Sequence, residues 1–131
     1  MDAQRALSLT RASADDWGID PERVGIMGFS AGGETSALAA LALGERAYSP
    51  IDGSDEASCA PDFAMLIYSG GLVDRETGEL RPYHRVSEDT PPMFFVHAAD
   101  DRISPLGSSA LFEALETAGV PSELHIFATG G

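Results

Sequence analysis

Apolar residues in this chain follow two alternating rhythms. From Asp2 to Trp17 they recur every three or four positions, which puts Ala3, Leu7, Thr10, Ala14 and Trp17 on one face. That spacing predicts an amphipathic helix closed by Gly18. Pro21 breaks the chain, and the run Val24-Gly25-Ile26-Met27-Gly28-Phe29 is short, mostly apolar and bounded by turn residues. Such a run predicts a buried parallel strand. Ala31 to Leu43 reads as an Ala- and Leu-rich helix ending at Gly44. Beyond a polar loop from Glu45 to Asp62, Phe63 to Tyr68 reads as a second strand, followed by irregular chain from Ser69 to Pro92. Met93 to His97 is a third strand. Gly107 to Ala118 is a helix with Leu111 and Leu115 inward, and Ser122 to Phe127 is a last strand. Strands alternating with helices imply right-handed crossovers. The expected fold class is therefore α/β, a mostly parallel sheet of about four strands flanked by helices on both faces.

Composition narrows the classes without choosing among them. At 131 residues the chain has the length of one domain, read as spanning 1–131. Eight Lys and Arg against twenty-one Asp and Glu leave a net charge of −13, which repels phosphate backbones and argues against nucleic acid. No apolar run approaches the roughly 18 residues needed to cross a bilayer, and the first residues lack the pattern of an export signal. The compartment stays open. Cys59 is the single cysteine and is expected to be an inert, partly buried thiol. The acidic stretch Asp52-Gly53-Ser54-Asp55-Glu56 lacks the spacing of a calcium loop and reads as a solvated turn. No metal or organic cofactor is implied.

The chemistry is concentrated at Gly28-Phe29-Ser30-Ala31-Gly32-Gly33. A strand, then G-x-S-x-G, then a helix is the context of a nucleophile elbow. Gly28 and Gly32 are expected to let the backbone turn sharply, lifting Ser30 above the carboxyl edge of the sheet. The Ala31 N–H, at the start of the following helix, would then face a developing oxyanion. A tight turn of no chemical consequence is the competing reading. A hydroxyl nucleophile needs a base, and the base needs an orienting acid. His97-Ala98-Ala99-Asp100-Asp101 leaves a later strand and offers two carboxylates at the same edge.

Taken together, Gly28 to Gly33, Asp62 to Tyr68, Thr90-Pro91-Pro92, His97 to Pro105, and Gly119-Val120-Pro121 with Glu123 to Ile126 resemble the α/β-hydrolase esterases. The acetyl-esterase, acetylxylan-esterase and feruloyl-esterase-like enzymes are the nearest in pattern. The resemblance runs over almost the whole chain and corresponds to the C-terminal half of that fold. It implies Ser30 as nucleophile and Asp101 as triad acid, with Asp100 the lesser candidate and His97 structural. It also implies a catalytic histidine one residue past Gly131 and an oxyanion loop upstream of the elbow, so residues 1–131 would lack both. The other two histidines are expected to play no part, His84 solvated in a loop and His125 inside the last strand.

The function expected from this resemblance is a serine carboxylic-ester hydrolase acting on small-molecule or carbohydrate esters. Alternatives are a non-catalytic fragment of the fold, a serine hydrolase of the prolyl-peptidase kind, and a flavodoxin-like binding module. An apolar edge at Val24 to Phe29 is further expected to favour self-association.

Overall fold

The structure is a computed structural model that describes residues 1–131. Four strands, β1 (Ile26–Phe29), β2 (Ala64–Ile67), β3 (Met93–Ala98) and β4 (Ser122–Phe127), form one sheet in the order β1-β2-β3-β4. Every neighbouring pair is parallel. The helices are α1 (Asp2–Ala12), α2 (Ala14–Trp17), α3 (Ala31–Leu41) and α4 (Leu106–Thr117). The α/β architecture read from the hydrophobic rhythm is thus the one observed, and β4 has the predicted limits.

The layering differs from expectation. When parallel strands sit in chain order and every crossover is right-handed, all connections fall on one side of the sheet. Accordingly Ala37, Ala40 and Leu41 of α3 and Leu111 and Leu115 of α4 join a single core cluster. Its floor is Ala64, Leu66, Met93 and Phe95, the alternate positions of β2 and β3. Their register partners on the other side form two rows, Met27, Met65 and Phe94, then Phe29, Ile67 and Val96. No helix covers these rows. Met27 is 55% exposed and Phe29 50%.

The first helical segment is two helices, because the chain leaves helical geometry at Ser13. Leu7 and Ala14 turn inward as the spacing predicted, whereas Trp17 lies in the last turn of α2 and is 61% exposed. Leu7 meets Val24 and Ala39 in a small second cluster.

The acidic stretch is also more than a solvated turn. It forms a 3₁₀ turn, Gly53–Glu56, and Asp55 is buried. Its Oδ1 accepts from Tyr48 Oη at 2.6 Å and Arg46 Nη1 at 2.9 Å, while Oδ2 accepts from the Ile51 N–H at 2.8 Å. Arg5 Nη1, from α1, lies 2.9 Å from the same Oδ2. Burial pushes this carboxyl up, but the hydrogen bonds from Tyr48, Ile51 and Arg5 outweigh it and hold the group well below the usual carboxylate range. Arg11 adds a second tether, bonding Asp62 at 2.6 Å and the carbonyls of Pro21, Ser58 and Ala60. Cys59 sits inside this loop at 1% exposure, more deeply buried than expected.

Candidate functional site

Strand β1 ends at Phe29 and α3 begins at Ala31, so Ser30 alone makes the turn. It does so at φ 53° and ψ −122°. A non-glycine residue with such a backbone carries about 1–3 kcal/mol of strain and persists only where its surroundings impose it. Here the Ser30 N–H donates to the Ile67 carbonyl at 3.0 Å. The Ser30 carbonyl accepts from Gly33 N at 3.0 Å and from Gly70 N at 3.2 Å. Serine at a helix start usually caps the helix with its hydroxyl. Ser30 does not, because its side chain makes no cap bond and stays free. The Ala31 N–H, at the first helical position, has no acceptor within the helix.

The three glycines contribute unequally. A Cβ on Gly28 would overlap the Gly32 carbonyl and crowd Ser36 Oγ at 2.5 Å. At Gly33 it would overlap the Ser69 side chain. At Gly32 it would meet nothing within 4 Å, and the residue has no positive φ. The expectation that Gly32 is needed for the turn is therefore corrected. The backbone constraint rests on Gly28 and on Gly33.

Ser30 lines a pocket of about 630 Å³ at the carboxyl edge of the sheet. Glu34, Ser69, Arg75 and Arg102 share it, none of them singled out by the sequence pattern. Asp101 leaves the end of β3 on the same edge. Its Oδ1 accepts from the Ile103 N–H at 2.8 Å, and Arg102 and Ile103, its neighbours in sequence, line the Ser30 pocket. Asp101 itself faces an adjoining cleft of about 190 Å³ with Tyr68, Val96 and Phe127. Ser30 and Asp101 thus stand at the ends of β1 and β3 with β2 between them and no direct hydrogen bond. Asp100 is exposed, and its Oδ1 accepts from the Gly131 N–H at 2.9 Å.

None of the three histidines is hydrogen-bonded to Ser30. His97 is 1% exposed, with Nε2 2.8 Å from the Ile103 carbonyl and Nδ1 3.0 Å from Ser108 Oγ. A carbonyl can only accept, so Nε2 carries the proton and Nδ1 accepts from Ser108. Both nitrogens are committed to tying the Asp101 loop to α4. His125 is exposed on β4, beside Glu123 at 3.2 Å. His84 departs from expectation, being buried rather than solvated. It is 5% exposed and shares a hollow with Val86, Ala110 and Ala114. Burial pulls its pKa down, partly offset by the charge of Glu34. The loop that carries it was read as open chain, and its packing on α4 is a long-range contact with no local periodicity to announce it. No group of three or more His, Cys, Asp or Glu is placed to hold a metal ion, and no helix is long and apolar enough to cross a membrane.

Comparison with known proteins fits this geometry. The BD-FAE family model matches residues 1–65. A solved acetyl ester-xyloside bifunctional hydrolase from Caldicellulosiruptor lactoaceticus superimposes with a TM-score of 0.83 at 32% identity, over 98% of this chain and 54% of its own. The fold is part of the α/β-hydrolase fold, and the proteins most like it in these comparisons are esterases. Among curated relatives, an acetylxylan esterase of Xylanibacter ruminicola is 28% identical over 98% of the chain and 29% of its own length. A probable carboxylic ester hydrolase of Mycobacterium tuberculosis, LipM, is 28% identical over 81% of the chain and 30% of its own. The chain therefore spans about half the length of the solved hydrolase and under a third of these two curated relatives.

Proposed function

We propose that this chain provides the nucleophile and the acid of a serine carboxylic-ester hydrolase of the acetyl or acetylxylan esterase type. The observation that carries the reading is Ser30 itself, held in a strained turn with its hydroxyl withheld from capping α3 and presented to a pocket. Ser30 Oγ attacks the ester carbonyl and its proton passes to an imidazole. The Ala31 N–H donates to the tetrahedral oxyanion, and the protonated imidazole returns its proton to the departing alcohol. Water then repeats the sequence on the acyl-serine, releasing the acid. Asp101, with Oδ2 left over once Oδ1 holds the Ile103 N–H, orients the imidazole.

Because His97 is committed, His125 lies on the exposed strand β4 and His84 is enclosed against α4, the base is supplied by a residue outside 1–131. The same observation favours a second reading, in which residues 1–131 alone are a non-catalytic fragment of the fold. We also assign residues 1–131 to one partial α/β-hydrolase domain whose β1 edge favours self-association; the place of β1 at the end of the sheet, with a strand on one side only, supports this.

A fluorophosphonate probe and p-nitrophenyl acetate, applied to the chain and to Ser30→Ala, test the reading. Covalent labelling of Ser30, absent in the variant, supports a nucleophile elbow. Labelling that survives the substitution refutes it. Slow hydrolysis equal in both proteins identifies the chain as the fragment, since loss of the base removes several powers of ten in rate.

A further inference from the structure

All eight basic residues of the chain are arginine, in a molecule of net charge −13. Arg5, Arg11 and Arg46 are paired with Asp52, Asp55 and Asp62. Arg75 and Arg102 make no hydrogen bond and no ion pair, and both line the pocket of Ser30. They arrive from different loops, and each loop is pinned. The hairpin carrying Arg75 is closed by the Val73–Leu80 bridge and by Asp74 N donating to the Glu79 carbonyl at 2.8 Å. The Arg102 loop is fixed through Ile103, bonded by both Asp101 and His97.

The two acids of the pocket are already engaged. Asp74 Oδ1 accepts the N–H groups of Glu76 and Thr77, and Glu34 Oε1 accepts from Tyr83 Oη at 3.2 Å. Each acid thus accepts at least one hydrogen bond, whereas the two exposed arginines have no partner in the protein. Deeper in the same pocket Ser69 is 2% exposed, and its Oγ is buried without a hydrogen-bond partner. A buried hydroxyl left unpaired is costly unless an occupant completes it.

We infer that the pocket accepts an ester bearing a free carboxylate, clamped by Arg75 and Arg102, with the Ser69 hydroxyl completing the polar contact. The planar guanidinium fork suits a carboxylate, and two such groups on opposite loops favour it over a neutral group. The assignment rests on Ser30 being the reacting serine, since it names the substrate class for that site. The carboxylate can belong to the alcohol portion, as in an acidic sugar, or to the acyl portion, as in a diacid half-ester.

Calorimetric titration of the chain with glucuronate, succinate, glucose and sulfate tests this, alongside Arg75→Gln/Arg102→Gln and Ser69→Ala. At least one carboxylate should bind while glucose does not, and the double arginine variant should weaken it about two- to thirtyfold, the range for two exposed ion pairs. Ser69→Ala should weaken the same ligand further. Glucuronate binding alone places the carboxylate on the alcohol portion, and succinate alone places it on the acyl portion. Either supports the clamp. Equal binding of glucose, equal binding of sulfate, or affinity unchanged in the double variant overturns it. Fluorophosphonate labelling of Ser30 in the same samples keeps the two failures apart. Labelling that survives Ser30→Ala sinks the hydrolase reading, while the titrations report on the clamp by themselves.

Discussion

Two glycines four residues apart in one motif should respond to the same substitution with opposite sign. At Gly28 an added methyl would run into the Gly32 carbonyl, which is backbone and cannot swing aside, and into Ser36 Oγ, which donates to that carbonyl at 2.9 Å. Overpacking a tight site costs about 1–3 kcal/mol, and loss of the Ser36 bond adds about 1 kcal/mol. Gly28→Ala should therefore destabilise the chain by about 2–4 kcal/mol and disturb the turn that presents Ser30. At Gly32 the methyl meets open space on a helical backbone. Replacing glycine by alanine there removes unfolded-state freedom and should stabilise by up to about 1 kcal/mol. Urea unfolding of both variants, with fluorophosphonate labelling rate as the functional readout, gives the comparison. Equal losses at the two positions, or an unaffected Gly28→Ala, would show that the close approach of β1 and α3 is not what makes the motif's first glycine necessary.

Phe95 is fully buried at the centre of the core, so Phe95→Ala should cost about 3–5 kcal/mol in urea unfolding, while Phe94→Ala on the uncovered face should cost clearly less. His84 is held below its ordinary pKa by burial, so the unfolded chain binds more protons as pH falls beneath about 6.5, and stability should decline there. Thermal unfolding between about pH 7 and 5 should show that decline flatten in His84→Gln; an unchanged slope assigns it elsewhere. Sedimentation at micromolar concentration should show association that Met27→Lys reduces, whereas a clean monomer in the parent chain refutes pairing through β1.

The strands were legible because each is a short apolar run bracketed by turn residues, a pattern that follows from burial between layers. Ser30 was legible because its motif fell between such a run and a helix. What escaped were features decided by partners distant in sequence. His84 reads as a loop polar residue, yet α4 lies over it; Asp55 reads as a surface charge, yet Arg5 and Arg46 fold onto it. Trp17 satisfied the helical spacing only while α1 and α2 were taken as one helix. The uncovered sheet face could have been anticipated, since strand order in the chain and one crossover hand already require it, but strand order itself is not written in hydrophobic period. Arg75 and Arg102 are 27 residues apart and carry no motif. Only the meeting of two loops above Ser30 singles them out.

The sequential strand order also bears on how the chain assembles during synthesis. β2 emerges after β1 and needs a place only beside it, β3 only beside β2, and β4 only beside β3. No strand has to be inserted between two that are already joined, so each newly made segment can dock on a finished surface. The elbow would be set early in this order, because two of its hydrogen bonds come from Ile67 and Gly70 at the end of β2. The acid-bearing loop would follow only when α4 supplies Ser108 to His97. A nascent chain with residues 1–72 clear of the ribosome would therefore have the partners of its reactive turn in place before the carboxylate meant to serve it has emerged.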